Sequence, residues 1–266
     1  MRMTKTEKIL ALACAVLMAL ALFGPPLAQP ANYHAFADQR VLWGVPFAMD
    51  VLSNLPFAIA GFAGGWMLWR APRHAVADME RAMSALFFAG LVVTSCASTW
   101  YHLNPNDAGL MIDRLGMCFA FAGLLGLATT TKISPRAGAA LGLAVLVAAS
   151  ASVLAWSVTG NLMPWATVQA SGMVFIAAMV FLATRPGSLE IAWHWVIAAY
   201  VVAKLLEIND HFMFIFTSEW FSGHTLKHVL AALAAYPVIA CMSRVTLCKQ
   251  NAGDAGTERR TGTRRN

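Results

Sequence analysis

The chain has 266 residues, of which 59% are hydrophobic and only 12% are charged, whereas soluble domains carry about 25% charged residues. A chain of this composition cannot solvate its own surface unless lipid covers part of it, which excludes an ordinary soluble domain. The net charge of +6 does not indicate nucleic-acid binding, because the basic residues gather in short segments between apolar runs.

Eight apolar runs follow one another along the chain, each near the roughly 20 residues that a helix needs to cross a bilayer. We expect every run to be a helix, because an open strand in lipid would leave its backbone groups unpaired. The runs cover residues 9–28, 51–69, 82–102, 111–131, 137–157, 163–183, 191–213 and 223–243. The sequence therefore predicts an all-α, polytopic transmembrane helix bundle, with a seven-helix core plus one N-terminal helix.

The two ends of the chain differ from this core. Residues 1–32 are predicted to form the N-terminal transmembrane helix, although basic residues followed by an apolar stretch also describe a signal-like segment. Residues 33–248 are predicted to form the seven-helix membrane domain. Residues 249–266 are polar and basic without aromatic residues, which predicts a disordered cytoplasmic tail.

The distribution of lysine and arginine predicts the orientation of the bundle. If the N-terminus is cytoplasmic, most of the 19 basic residues fall in segments on the cytoplasmic side. Both termini are therefore predicted to be cytoplasmic. The short loops and the basic tail favour a bacterial inner membrane, with an internal eukaryotic membrane as the alternative.

Polar side chains recur at the outer ends of the helices, which would face the periplasm or a lumen. Ionisable groups inside a membrane are costly and usually face an interior cavity, so they are candidates for function. Asp50 and Asn54 have the alternative role of capping their helix. The site-supporting candidates in this layer are Asp50, Ser53, Asn54, Glu207, Asp210 and Lys227.

Three histidines form the strongest pattern in this polar layer. His224 and His228 are four residues apart and so share one helical face, and His102 can supply a third ligand from another helix end. Three histidines with an open fourth position are typical of catalytic zinc, which makes hydroxide available near neutral pH. Asp113 could exchange a proton with that water, and Ser98 could hydrogen-bond a developing oxyanion.

Four motifs in order resemble those of the alkaline ceramidase superfamily, which also includes the adiponectin and progestin receptors and the lipases that remodel GPI anchors. The resemblance covers residues 33–243, with an extra helix in front. The motif segments are 50–54 (DVLSN), 98–102 (STWYH), 113–117 (DRLGM) and 224–228 (HTLKH).

This resemblance implies a zinc-dependent intramembrane amidase that hydrolyses the N-acyl bond of ceramide-like lipids with zinc-activated water. It implies that His102, His224 and His228 bind Zn²⁺, that Asp113 is the general base, and that Ser98 steadies the ion or the oxyanion. The implied partner is a membrane lipid that enters sideways between helices, and the oligomeric state is not determined by the sequence.

The chain departs from the ceramidase pattern in two places. Asp50 stands where the motif has asparagine, and Phe47 stands where the calcium-binding segment of animal and fungal ceramidases has glutamate. Regulation by Ca²⁺ is therefore doubtful, with Asp38 and Asp50 as the remaining candidate ligands.

Two other functions remain open from the sequence. A zinc-containing membrane receptor or binding protein could use the basic tail to recruit a partner. A proton- or metal-coupled transporter could use the charged residues as a path, but the polar layer stops before the inner face.

Overall fold

A computed structural model describes residues 2–246, and in this range the chain forms helices and no β-strand. The basic tail predicted for residues 249–266 lies outside the described residues. The helices are α1 (Lys5–Phe23), α2 (Ala48–Leu52), α3 (Leu55–Arg70), α4 (Asp78–Leu103), α5 (Asp107–Lys132), α6 (Pro135–Thr159), α7 (Met163–Val180), α8 (Trp193–Ile208), α9 (Asp210–Phe216) and α10 (Gly223–Leu233). After a two-residue turn, the last helical segment continues to Thr246.

Seven helical segments of the described chain are long and apolar enough to cross a membrane. They comprise α1, α2 together with α3, α4, α5, α6, α7, and α10 with its continuation. Large apolar side chains such as Phe62, Trp69 and Phe181 lie exposed on the outside, where lipid would solvate them. The predicted all-α transmembrane bundle is confirmed, and the chain has the character of an integral membrane protein.

The predicted helix over residues 191–213 is not continuous, which corrects the sequence prediction. Helix α8 ends at Ile208 and α9 begins at Asp210, with Asn209 between them at φ −102° and ψ 31°. The side chain of Asn209 donates a 2.8 Å hydrogen bond back to the carbonyl of Leu205, which satisfies a helix-end acceptor. The break leaves α8 with 16 residues and frees Asp210 for contacts outside its own helix.

Helices α4 and α5 pack unusually close together because glycine lies at their contact. A Cβ atom on Gly90 would lie 2.3 Å from the backbone nitrogen of Ala120, and one on Gly123 would lie 2.3 Å from that of Phe87. Small residues allow such close backbone approach between membrane helices. This antiparallel pair brings the C-terminal end of α4 beside the N-terminal end of α5.

The two ends of the bundle carry different polar groups. At one end, Arg81, Lys132 and Arg185 donate hydrogen bonds to backbone carbonyls, and Arg136 pairs with the buried Glu7 to join α6 to α1. At the opposite end, α4 and α8 finish and α5 and α10 begin. We call this opposite end the site end, because the predicted polar layer lies there.

Candidate metal centre

The three predicted histidine ligands converge at the site end. His102 lies in the last turn of α4, whereas His224 and His228 lie one turn apart near the start of α10. All three are buried, and one ring nitrogen from each lies within 4.8 Å of the others. The Nε2 atoms of His102 and His224 are 3.3 Å apart. This histidine cluster could hold a metal ion.

The geometry of the cluster fits a small divalent ion. Zinc–nitrogen bonds of about 2.0–2.1 Å in tetrahedral geometry place two ligand nitrogens about 3.3–3.4 Å apart, which agrees with the separation between His102 and His224. Imidazole is a ligand that suits zinc and several other transition metals. The donor set therefore fits zinc.

The second ring nitrogen of His228 has a defined partner. The Ser53 hydroxyl lies 2.8 Å from Nδ1 of His228. The same hydroxyl donates a 2.9 Å hydrogen bond to the backbone carbonyl of Asp50. With its proton engaged there, the hydroxyl accepts a hydrogen bond from Nδ1–H. His228 is then the tautomer whose Nε2 lone pair is free for a metal ion.

Asp50 ties α2 to the start of α10. Its Oδ1 accepts a 2.7 Å hydrogen bond from the Thr225 hydroxyl and a longer one of 3.4 Å from Ser222. Its fully buried side chain does not cap α2, and the Asn54 side chain does not cap α3, so the capping alternative is wrong for both. The side-chain amide of Asn54 instead donates a 2.9 Å hydrogen bond to the backbone carbonyl of Asp50. These contacts fix the helix turn that carries His224 and His228.

Asp210 connects the helix turn that carries His224 to the loop between α1 and α2. One carboxylate oxygen accepts from the backbone N–H of His224 at 2.7 Å, and the other accepts from that of Ala37 at 2.9 Å. The neighbouring Phe36 lies against the rings of His102 and His224, with centroid distances of 4.9 and 4.3 Å. The loop therefore covers the histidine cluster at the site end.

A cavity of about 140 Å³ reaches His228. Ser98 and Asp113 line this cavity together with His228, and apolar residues such as Phe57 and Leu124 form much of the remaining wall. Ser98 is buried, whereas Asp113 is partly exposed. The two residues predicted to be catalytic thus share one cavity with a predicted metal ligand.

Charged residues from α8 and α10 line the same cavity. The Lys227 ammonium lies 2.5 Å from one oxygen of the Glu207 carboxylate, and Lys204 pairs with the other oxygen. Glu207 and Lys227 therefore form part of the cavity wall and do not belong to the histidine cluster.

Asp38, a candidate calcium ligand, is already paired. Its two carboxylate oxygens accept hydrogen bonds from Nε and Nη2 of Arg40 at 2.8 and 2.6 Å. These hydrogen bonds to Asp38 raise the pKa of the Arg40 guanidinium above its usual value. Asp50, the other candidate, is fully buried; its Oδ1 accepts from the hydroxyls of Thr225 and Ser222, and its Oδ2 has no hydrogen-bond partner within residues 2–246.

Sequence reasoning missed Phe36, Thr225 and the break that positions Asp210. Thr225 could have been identified as a site residue from the sequence, because it is a hydroxyl residue inside the HTLKH segment. Phe36 had none, because its contact with the histidines depends on the path of a loop between helices. No protein-family model matches the chain, and a search of curated proteins finds no match.

Proposed function

We propose that the protein is a zinc-dependent intramembrane lipid amidase that hydrolyses an N-acyl bond, as the resemblance to alkaline ceramidases implies. The observation that carries this proposal is the buried cluster of His102, His224 and His228 next to a cavity lined by Ser98 and Asp113. His102, His224 and His228 would hold the zinc ion, which when bound would supply a Lewis acid and make a water molecule acidic enough to lose a proton near pH 7.

Asp113 and Ser98 have complementary roles in this proposal. Hydrolysis adds the oxygen of one water to the acyl carbon and releases the nitrogen as an amine. Asp113 takes a proton from the water and returns it to the leaving nitrogen, which is general acid–base catalysis. Ser98 donates a hydrogen bond to the carbonyl oxygen as negative charge develops on it.

The shape of the site supports a lipid substrate. Phe36 covers His102 and His224 at the site end, whereas His228 lines the cavity. The apolar part of the cavity wall offers an acyl chain a place to bind, as ligand pockets with a few convergent polar groups do. A membrane lipid that moves sideways between helices would reach the site with its carbonyl group near His228.

The experiment measures fatty-acid release from a panel of lipids with the same acyl chain, using protein purified in a neutral detergent. The panel contains ceramide, an N-acyl amino acid and a matched ester. We expect release from an amide, with a loss of about 100-fold or more in Asp113→Asn and an unchanged metal content. The matched control is Asp78→Asn, an exposed carboxylate at the start of α4, at the other end of the bundle.

Other outcomes of this experiment point to other functions. Retained zinc without turnover of any amide or ester would contradict the amidase proposal and favour a receptor or binding role. Proton-coupled uptake into vesicles would favour a transporter instead.

A further inference from the structure

The carboxylate of Glu207 is shared by two lysines. Lys204 and Lys227 approach it from α8 and α10, and each engages one of its two oxygens. An ammonium group has three N–H donors, and the described part of the chain provides only Glu207 as a hydrogen-bond partner for each lysine. Both lysines line the cavity, so the N–H donors that Glu207 does not use are available to a further acceptor there.

The cavity also has an excess of positive charge. Its charged lining residues are the cations Lys204, Lys227 and Arg114 and the anions Asp113 and Glu207. Arg114 is 3% exposed, and its Nη1 has no hydrogen-bond partner within residues 2–246, although Nη2 donates to Gln29 at 2.7 Å. The Arg114 guanidinium also lies over the Trp156 ring, with 4.2 Å between its Cζ atom and the ring centroid, which partly compensates its charge. Lys204 and Lys227 share the single carboxylate of Glu207, and an ammonium group without a full counter-charge is costly at membrane depth, so this pair favours an anion from outside the chain.

We propose that the lipid head group bound in this cavity is anionic, a carboxylate or a phosphate held by Lys204 and Lys227. This inference rests on the proposed function, which names the bond that is cleaved, and it adds the chemical class of the head group. His228 lines the same cavity as the two lysines, so a lipid whose head group binds the lysines keeps its amide in the cavity that reaches the histidine cluster. A neutral head group, such as that of ceramide, does not match the excess charge.

The experiment measures binding of N-dodecanoylglycine and of its neutral primary amide to chelator-treated protein, by isothermal titration in a neutral detergent. Metal-free protein is used so that the carboxylate cannot bind zinc. We expect the anionic compound to bind at least tenfold more tightly than the neutral one. Equal affinity for the two compounds would overturn the inference.

Three variants test whether the preference comes from these lysines. Lys204→Met should reduce the preference to less than threefold, whereas Glu207→Gln, which removes the competing carboxylate, should increase it. A purely structural ion pair predicts that both substitutions weaken binding of both compounds. Lys8→Met, an exposed lysine of α1, is the matched control and should leave the preference unchanged. If Lys204→Met does not fold, Glu207→Gln alone tests the inference: a stronger preference for the anionic compound supports it, and an unchanged or weaker preference overturns it.

A released fatty acid could occupy the same site, and turnover distinguishes this source. The zinc-loaded protein should hydrolyse N-dodecanoylglycine at least tenfold faster than its primary amide, and Lys204→Met should lose this ratio. Tight binding of dodecanoate with faster hydrolysis of the neutral amide would mean that the lysines hold the product, which overturns the inference. That result would leave the amidase proposal standing, whereas a charge-dependent preference in a protein without turnover would leave only the anion site.

Discussion

The hydroxyl of Ser53 lies 2.8 Å from Nδ1 of His228, although the two residues are 175 positions apart in the chain. This hydroxyl donates its hydrogen to the backbone carbonyl of Asp50, so it accepts a hydrogen bond from Nδ1–H of His228. The contact therefore selects the His228 tautomer in which Nε2 carries a free lone pair. The contact joins the DVLSN and HTLKH segments. One role of the DVLSN segment is therefore to orient His228, a predicted metal ligand.

Replacing Ser53 should weaken the metal site without removing a ligand. We expect Ser53→Ala to lower metal affinity by about 10- to 100-fold, because partners that orient a ligating histidine typically contribute that much. Competition with a chromogenic chelator measures the affinity. Ser157→Ala, which removes a hydroxyl that bonds only within α6, is the control. Unchanged affinity in Ser53→Ala would show that His228 does not depend on this contact.

The contact between Thr225 and Asp50 should contribute to stability. Thr225→Val leaves the fully buried Asp50 carboxylate with only the longer contact to Ser222. We expect a loss of about 1–3 kcal/mol, the usual cost of an unsatisfied buried polar group. A lower unfolding temperature in detergent would report it. Thr6→Val, at an exposed position of α1, should not shift the temperature, and a Thr225→Val protein as stable as the wild type would contradict the prediction.

Calcium should have no effect on the protein. The guanidinium of Arg40 already occupies both carboxylate oxygens of Asp38 in a bidentate arrangement. We expect neither calcium nor a calcium-selective chelator to change lipid turnover or the unfolding temperature. Magnesium at the same concentration controls for ionic strength. Saturable calcium binding that Asp38→Asn abolishes would contradict this prediction.

The sequence was informative wherever a local rule determined the geometry. The i, i+4 spacing of His224 and His228 predicted their shared helical face, and the end of an apolar run placed His102 at the same depth. The pairing of Lys227 with Glu207 was not predicted, because it depends on how α10 packs against α8. The break at Asn209 was also missed, since apolar residues continue on both sides of it.

Loop positions were the least predictable part of the site. Phe36 lies in a segment between α1 and α2 that has no helical periodicity; its ring contacts His224, and the N–H of the next residue, Ala37, donates to Asp210. Such contacts form between residues far apart in sequence. No rule based on local spacing could have placed Phe36 on the histidine cluster.

The most direct test of the account compares metal content and lipid-amide hydrolysis in detergent-purified wild type and in the His224→Ala/His228→Ala double variant. A His194→Ala/His211→Ala protein, which removes two histidines outside the cluster, controls for loss of histidine. We predict about one zinc ion per chain in the wild type and in this control, with zinc and fatty-acid release both lost in the double variant. Zinc-free wild-type protein, or hydrolysis that survives the double substitution, would contradict the account.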